Sequence, residues 1–162
     1  MSVLFVIGAA LAAIGCGVAA GFFMTFSDLI MPSLEAVEGR AGIEAMQMIN
    51  IKVNTSVSVS VLWAMVFALP ILLVLDLLWA GGVGLPWILS GGALYLLGVL
   101  VVSFRVNVPM NNRLEAMDRQ EESTQAYWAT EFVPRWIRWN SVRTIAATGA
   151  AICYAIAAFV AV

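Results

Sequence analysis

Apolar residues in this chain come in four long blocks rather than in short alternating runs. A helix needs about 20 mostly apolar residues to cross the hydrocarbon core of a bilayer. The first block (TM1) runs from about residue 3 to 31 and carries no charge before Asp28. TM2 runs from about 53 to 75, ends at Asp76 and contains Pro70, whose ring predicts a kink one turn back. TM3 starts at Pro86, a residue suited to a first helical turn, and reaches about 107. TM4 starts near Pro134 or Trp139, at about 136, and runs to 161. The pattern predicts a single domain over 1–162: an all-α, integral membrane four-helix bundle. Pro109 should end TM3. Asn112, with Glu115 three residues on, reads as a capping box that opens a short interfacial helix between TM3 and TM4.

Small residues recur every four positions: Ala9, Ala13, Gly17 and Gly21 in TM1, Ser56, Ser60, Ala64 and Ala68 in TM2, and Gly149, Cys153, Ala157 and Ala161 in TM4. Such stripes let helix backbones approach closely in lipid. The N-terminal block lacks a basic lead and is too long for a signal peptide, so it reads as a retained span. The turn from Ala80 to Gly84 is short and uncharged, a plain reversal.

Composition sharpens this picture. Hydrophobic residues make up 62% and charged residues 11%, against about 25% charged in soluble domains. A net charge of −2 and the lack of any basic cluster exclude nucleic acid as a partner. Histidine is absent, which removes the commonest metal ligand, haem ligand and neutral-pH base. There is no phosphate loop, dinucleotide fingerprint, zinc spacing or Cys-x-x-Cys, so no cofactor is expected. Cys16 and Cys153 read as reduced packing residues.

All eight basic residues lie between TM1 and TM2 or around the TM3–TM4 connection. The positive-inside rule therefore puts both long connections in the cytoplasm and both termini outside a cell membrane. Asn54-Thr55-Ser56 matches a glycosylation acceptor but falls on the cytoplasmic side and is discounted.

Polar residues at span ends cost several kcal/mol when buried unpaired, so they need a reason. Four segments gather at the predicted cytoplasmic face. TM1 ends in Thr25-Phe26-Ser27-Asp28. Gln47, Asn50 and Asn54 form one stripe before TM2. Arg105, Asn107, Asn111 and Asn112 follow TM3. Trp136, Asn140 and Arg143 form a stripe at the start of TM4, with Trp139 beside them. Each residue alone could cap, snorkel or pair, as Asp28 could with either arginine. As a set they read as a pocket. Asp28 is its candidate acid or base, with Glu44 and Glu131 in reserve. Arg105 and Arg143 could hold an anion or enolate, the amides could orient oxygens, and the tryptophans could stack on a flat ring. Tyr95 lies deeper and reads as a packing residue with a bonded hydroxyl.

The same segments carry a family resemblance. Thr25 to Pro32, Ala45 to Asn50, Asn107-Val108-Pro109-Met110-Asn111-Asn112 and Trp139-Asn140-Ser141-Val142-Arg143-Thr144 resemble the anthrone oxygenase-like family of small four-span membrane proteins, over roughly residues 8 to 150. The resemblance implies cofactor-independent oxygenation of a flat phenolic, polyketide-like substrate. On that mapping Asp28 would be the base and Arg105 and Arg143 would stabilise the anion. Gln47, Asn50, Asn107, Asn111 and Asn140 would bind substrate, with Trp136 and Trp139 flanking its rings. The competing readings are a non-catalytic protein that binds a lipid, quinone or partner subunit, and, last, a small transporter. A hydrophobic small molecule or lipid is the expected partner, and a homo-oligomer stays open.

Overall fold

The computed structural model describes residues 3–162. Among them lie six helices and no strand: α1 (Val3–Ala36), α2 (Ala41–Val53), α3 (Val57–Val66), α4 (Ala68–Ala80), α5 (Leu85–Ala116) and α6 (Glu122–Val160). Helices α1, α5 and α6 are each long and apolar enough to cross a membrane; α2 and α3 qualify only together, as a pair bent by 55°. The chain is thus all-α, with three to four candidate spans. Large apolar side chains such as Leu4, Ile7, Leu11, Ile14 and Val18 face outward from α1. In water that surface would drive aggregation; in lipid it is the expected exterior.

Helix α6 is the central post, with α1 and α5 packed against it and α3 and α4 closing on α1. Small side chains make that contact possible. Ala9, Ala12, Cys16 and Ala19 of α1 share one core with Ala146, Ala147, Ala150 and Ala157 of α6, and Phe5, Phe23, Tyr95 and Tyr154 fill the gaps. The packed stripe of α1 is not the one its every-fourth spacing suggested. Gly17 faces outward, as do Ser60 and Ala64 of the second stripe. A strict step of four drifts by about 40° per step around a helix of 3.6 residues per turn, so the buried line follows threes and fours. The TM4 stripe fares better, with Cys153 and Ala157 buried. Both cysteines are free and buried.

The expected end of TM3 at Pro109 is overturned. Helix α5 runs through Pro109 to Ala116, and no new helix opens at Asn112. The reason is local. A proline lacks the N–H for its i−4 carbonyl, and its ring clashes there. In the turn before Pro109 the ladder widens to π spacing: the Val108 N–H bonds the Ser103 carbonyl, five residues back. The same device precedes the other two prolines at this end, where Met31 bonds Phe26 before Pro32 and Val133 bonds Trp128 before Pro134. Each helix thereby continues past its proline instead of stopping. α6 accordingly starts at Glu122, well before the expected boundary near 136. Pro70 does act as expected, with the helix interrupted at Phe67, one turn earlier.

The prolonged helix ends have a core of their own. Met31, Ile43, Met46, Met110, Leu114, Tyr127, Phe132 and Trp136 join α1, α2, α5 and α6. At the opposite end, buried Asp76 accepts the Gly84 N–H at 3.0 Å and fixes the turn into α5.

Close packing at Gly98 gives a paired test. A Cβ there would overlap that of Ala146, whereas one at Gly17 meets nothing. Gly98→Val should lower stability in detergent by about 1–3 kcal/mol, as overpacked cores do. Gly17→Val should leave the unfolding midpoint unchanged.

Candidate functional site

An open-mouthed cavity of about 310 Å³ lies where α2 bends into α3, between α1, α5 and α6. Most of its wall is apolar or aromatic: Phe22, Phe23 and Phe26 from α1, Leu62 and Trp63 from α3, Phe104 from α5. The polar groups come from three helices. Asn50 and Asn54 belong to α2 and its exit, Ser103, Asn111 and Asn112 to α5, and Asn140 and Arg143 to α6, with Trp136 beside them.

Arg143 is the only charged side chain among the lining residues. It is 8% exposed and makes no ion pair with any described residue. Its guanidinium is held by neutral groups. One terminal nitrogen donates to Asn140 Oδ1 at 2.6 Å and the other to Ser103 Oγ at 3.2 Å. The Phe23 ring lies 4.4 Å from its centre and that of Trp136 5.5 Å, close enough for attraction to the ring faces. The Nε–H has no partner. Asn140 is fully buried, and its amide donates to the Phe23 carbonyl at 2.5 Å and to Ser27 Oγ at 2.6 Å. With both donor directions spent on α1, its oxygen is left for the arginine.

A second set of bonds laces α5 to α6. Asn107 Nδ2 donates to the Trp136 carbonyl at 3.2 Å, and Trp136 Nε1 donates to Asn111 Oδ1 at 2.8 Å. The Trp136 ring is thereby fixed along the cavity wall. Tyr95 lines the floor, its hydroxyl donating to the Leu62 carbonyl at 2.9 Å.

The sequence-predicted residues divide into three groups. Asn50, Asn111, Trp136, Asn140 and Arg143 meet in the cavity. Gln47 and Asn107 stand behind it. Gln47 donates to the carbonyls of Leu114 and Met117 and ties α2 to the end of α5, and Asn50 bonds Glu115 from the same helix. Asp28, Arg105 and Trp139 do not line the cavity. Asp28 is exposed on the outer side of the π turn in α1 and pairs with neither arginine. Arg105 is exposed and lines a separate groove. Glu44 and Glu131 are engaged with Arg119 and Arg113 at 3.3 and 3.5 Å. Among residues to which the sequence assigned no role of their own, Ser27 and Ser103 hold the Asn140–Arg143 pair, and Phe22, Phe26, Trp63 and Phe104 shape the wall. The i, i+4 spacing of Phe22 and Phe26 was the available signal.

These features define a class: an all-helical, multi-pass membrane protein with a ligand-sized cavity between its helices. The description anthrone oxygenase matches residues 45–153, more than half of the chain, which therefore belongs to that family. The matched stretch runs from α2 through most of α6; the Thr25 to Pro32 segment of α1 lies outside it. Neither a curated protein nor a solved structure matches the chain.

Asn140→Leu should lower the unfolding midpoint in detergent, costing about 1–3 kcal/mol because Arg143 and Ser27 lose a buried partner. Asn112→Leu, at an exposed position with no side-chain bond, should be close to neutral.

Proposed function

We propose that the protein is a cofactor-independent oxygenase that takes a flat, phenolic, anthrone-like molecule from the bilayer into this cavity. The observation that carries the reading is the lone guanidinium in an otherwise uncharged, mostly apolar wall. A buried cation without a carboxylate favours an anion beside it. The cavity volume falls within the range of about 300–1,000 Å³ usual for small-molecule sites. In this reading α2 to α4 complete a fourth span of the bundle. The arginine-rich end faces the cytoplasm and both termini lie outside.

The reaction converts a ring methylene and dioxygen into a ring carbonyl and water. A proton leaves the methylene carbon, and the negative charge passes to the ring-ketone oxygen. Arg143, which lines the cavity, stabilises that oxygen through its guanidinium and thereby makes the carbon acid stronger. Water entering past Asn54 and Asn112 takes the proton, since no carboxylate lines the cavity. The carbanion adds to dioxygen and forms a carbon–oxygen bond, and protonation gives a hydroperoxide. Loss of water from the hydroperoxide leaves the carbonyl. Asn50 and Asn111 orient substrate oxygens, Trp136 lies along the rings, and Gln47 and Asn107 position the helices behind them. The scheme assigns no step to Asp28, Arg105 or Trp139.

Oxygen uptake with 1,8-dihydroxyanthrone in reconstituted membranes tests the proposal. Arg143→Met should cut turnover by about 100-fold or more, the usual loss for one oxyanion donor, while Asp28→Asn keeps it. Full turnover in Arg143→Met removes the mechanism. Tight binding of the anthrone without oxygen uptake by the wild-type protein would make it a binding protein instead.

A further inference from the structure

A second groove of about 190 Å³ lies between α5 and α6 at the arginine-rich end. It shares no lining residue with the first cavity. Two stripes face each other across it. α5 presents Arg105, Pro109 and Arg113 at steps of four, and α6 presents Tyr127, Glu131 and Arg135 at the same steps. The register of the facing pair is fixed at one end, where Arg113 lies 3.5 Å from Glu131 and 4.0 Å from the Tyr127 ring centre. The two helices run in opposite directions, with Gly98 against Ala146 and Asn107 bonded to Trp136, and Arg105 and Arg135 both line the rest of the groove.

The groove therefore holds three cations and one carboxylate, and that carboxylate is already paired. Arg105 and Arg135 make no ion pair and no side-chain hydrogen bond with any described residue. Like charges lining one groove repel, and its single carboxylate, Glu131, is shared with Arg113. An anion between Arg105 and Arg135 would offset that repulsion. Guanidinium forks match phosphate oxygens bidentately. The place also suits a lipid: Arg105 sits at the inner end of the apolar stretch of α5, and basic pockets between spans at this level take up phospholipid headgroups. Val106, Pro109 and Met110 give the groove an apolar side against which acyl chains can lie.

We propose that this groove binds the phosphate of an anionic phospholipid between Arg105 and Arg135. A soluble phosphate would meet the same chemistry, so the test separates the two. Purified protein is incubated with phosphatidic acid, with phosphatidylcholine or with inorganic phosphate, and bound lipid is read by native mass spectrometry. The wild type should retain phosphatidic acid about 10-fold better than phosphatidylcholine, a difference of about 1.4 kcal/mol. Arg105→Gln/Arg135→Gln should lose that preference with an unchanged unfolding midpoint. Glu131→Gln, which removes the one carboxylate, should strengthen it, an effect that a purely structural role would not produce. Equal retention of both lipids, or an undiminished preference in the double variant, overturns the proposal. Displacement of the lipid by millimolar phosphate overturns the lipid source and leaves a soluble phosphate site.

Discussion

A guanidinium in a buried wall, with no carboxylate lining it, constrains most of the architecture around it. Removing a cation from water costs several kcal/mol even after relaxation. Here the offset comes from neutral oxygens and ring faces: Asn140 Oδ1, Ser103 Oγ, Phe23 and Trp136. Each of these must be held in turn. Asn140 is oriented by the Phe23 carbonyl and Ser27, so α1 must lie against α6 at that height. Ser103 must come from α5. The close, small-residue contact of α1 with α6 and the shared core with α5 meet these demands. What remains unmet is the buried Nε–H, which has no partner among the described residues.

The proline-linked π turns are the second constraint. A helix that ended at Pro109 would carry Asn111 away from Trp136. By widening one turn at Ser103–Asn107, α5 keeps its direction and brings Asn107 and Asn111 to opposite sides of the same tryptophan. The turns before Pro32 and Pro134 similarly extend α1 and α6 into the small core around Phe132 and Leu114. Wide turns of this kind often mark functional sites. Here three of them fall at one end of the molecule, next to both concavities.

Much of this was legible in the sequence. Long apolar blocks gave the helices, and the spacing of Trp136, Asn140 and Arg143 gave the α6 side of the cavity, because a helix converts i, i+4, i+7 into one face. The amide of Asn50 is legible for the same reason, through its stripe with Gln47 and Asn54; Asn111 stands out only as one of the amides that follow TM3. Other features depend on rotation and register that no single segment contains. Asp28 lies one residue from Ser27, yet Ser27 faces Asn140 while Asp28 faces out; about 100° of helix rotation separates neighbours. Arg105 is two residues from Ser103 and lands in a different groove by the same geometry. The bend between α2 and α3 falls at Ser56, whose backbone is extended and whose Oγ accepts the Val59 N–H at the start of α3, while Gln47 and Asn50 tie α2 to the end of α5 across the fold.

The central claim is that Arg143 awaits an anionic oxygen. Its most direct test is the affinity of an anthrone-like phenol against its O-methyl ether, read from tryptophan fluorescence in nanodiscs across the pH range in which the phenol ionises. The account predicts that the phenol binds more tightly as it ionises, reaching about 10-fold or more over the ether, or about 1.4 kcal/mol. Equal affinities at every pH would contradict it.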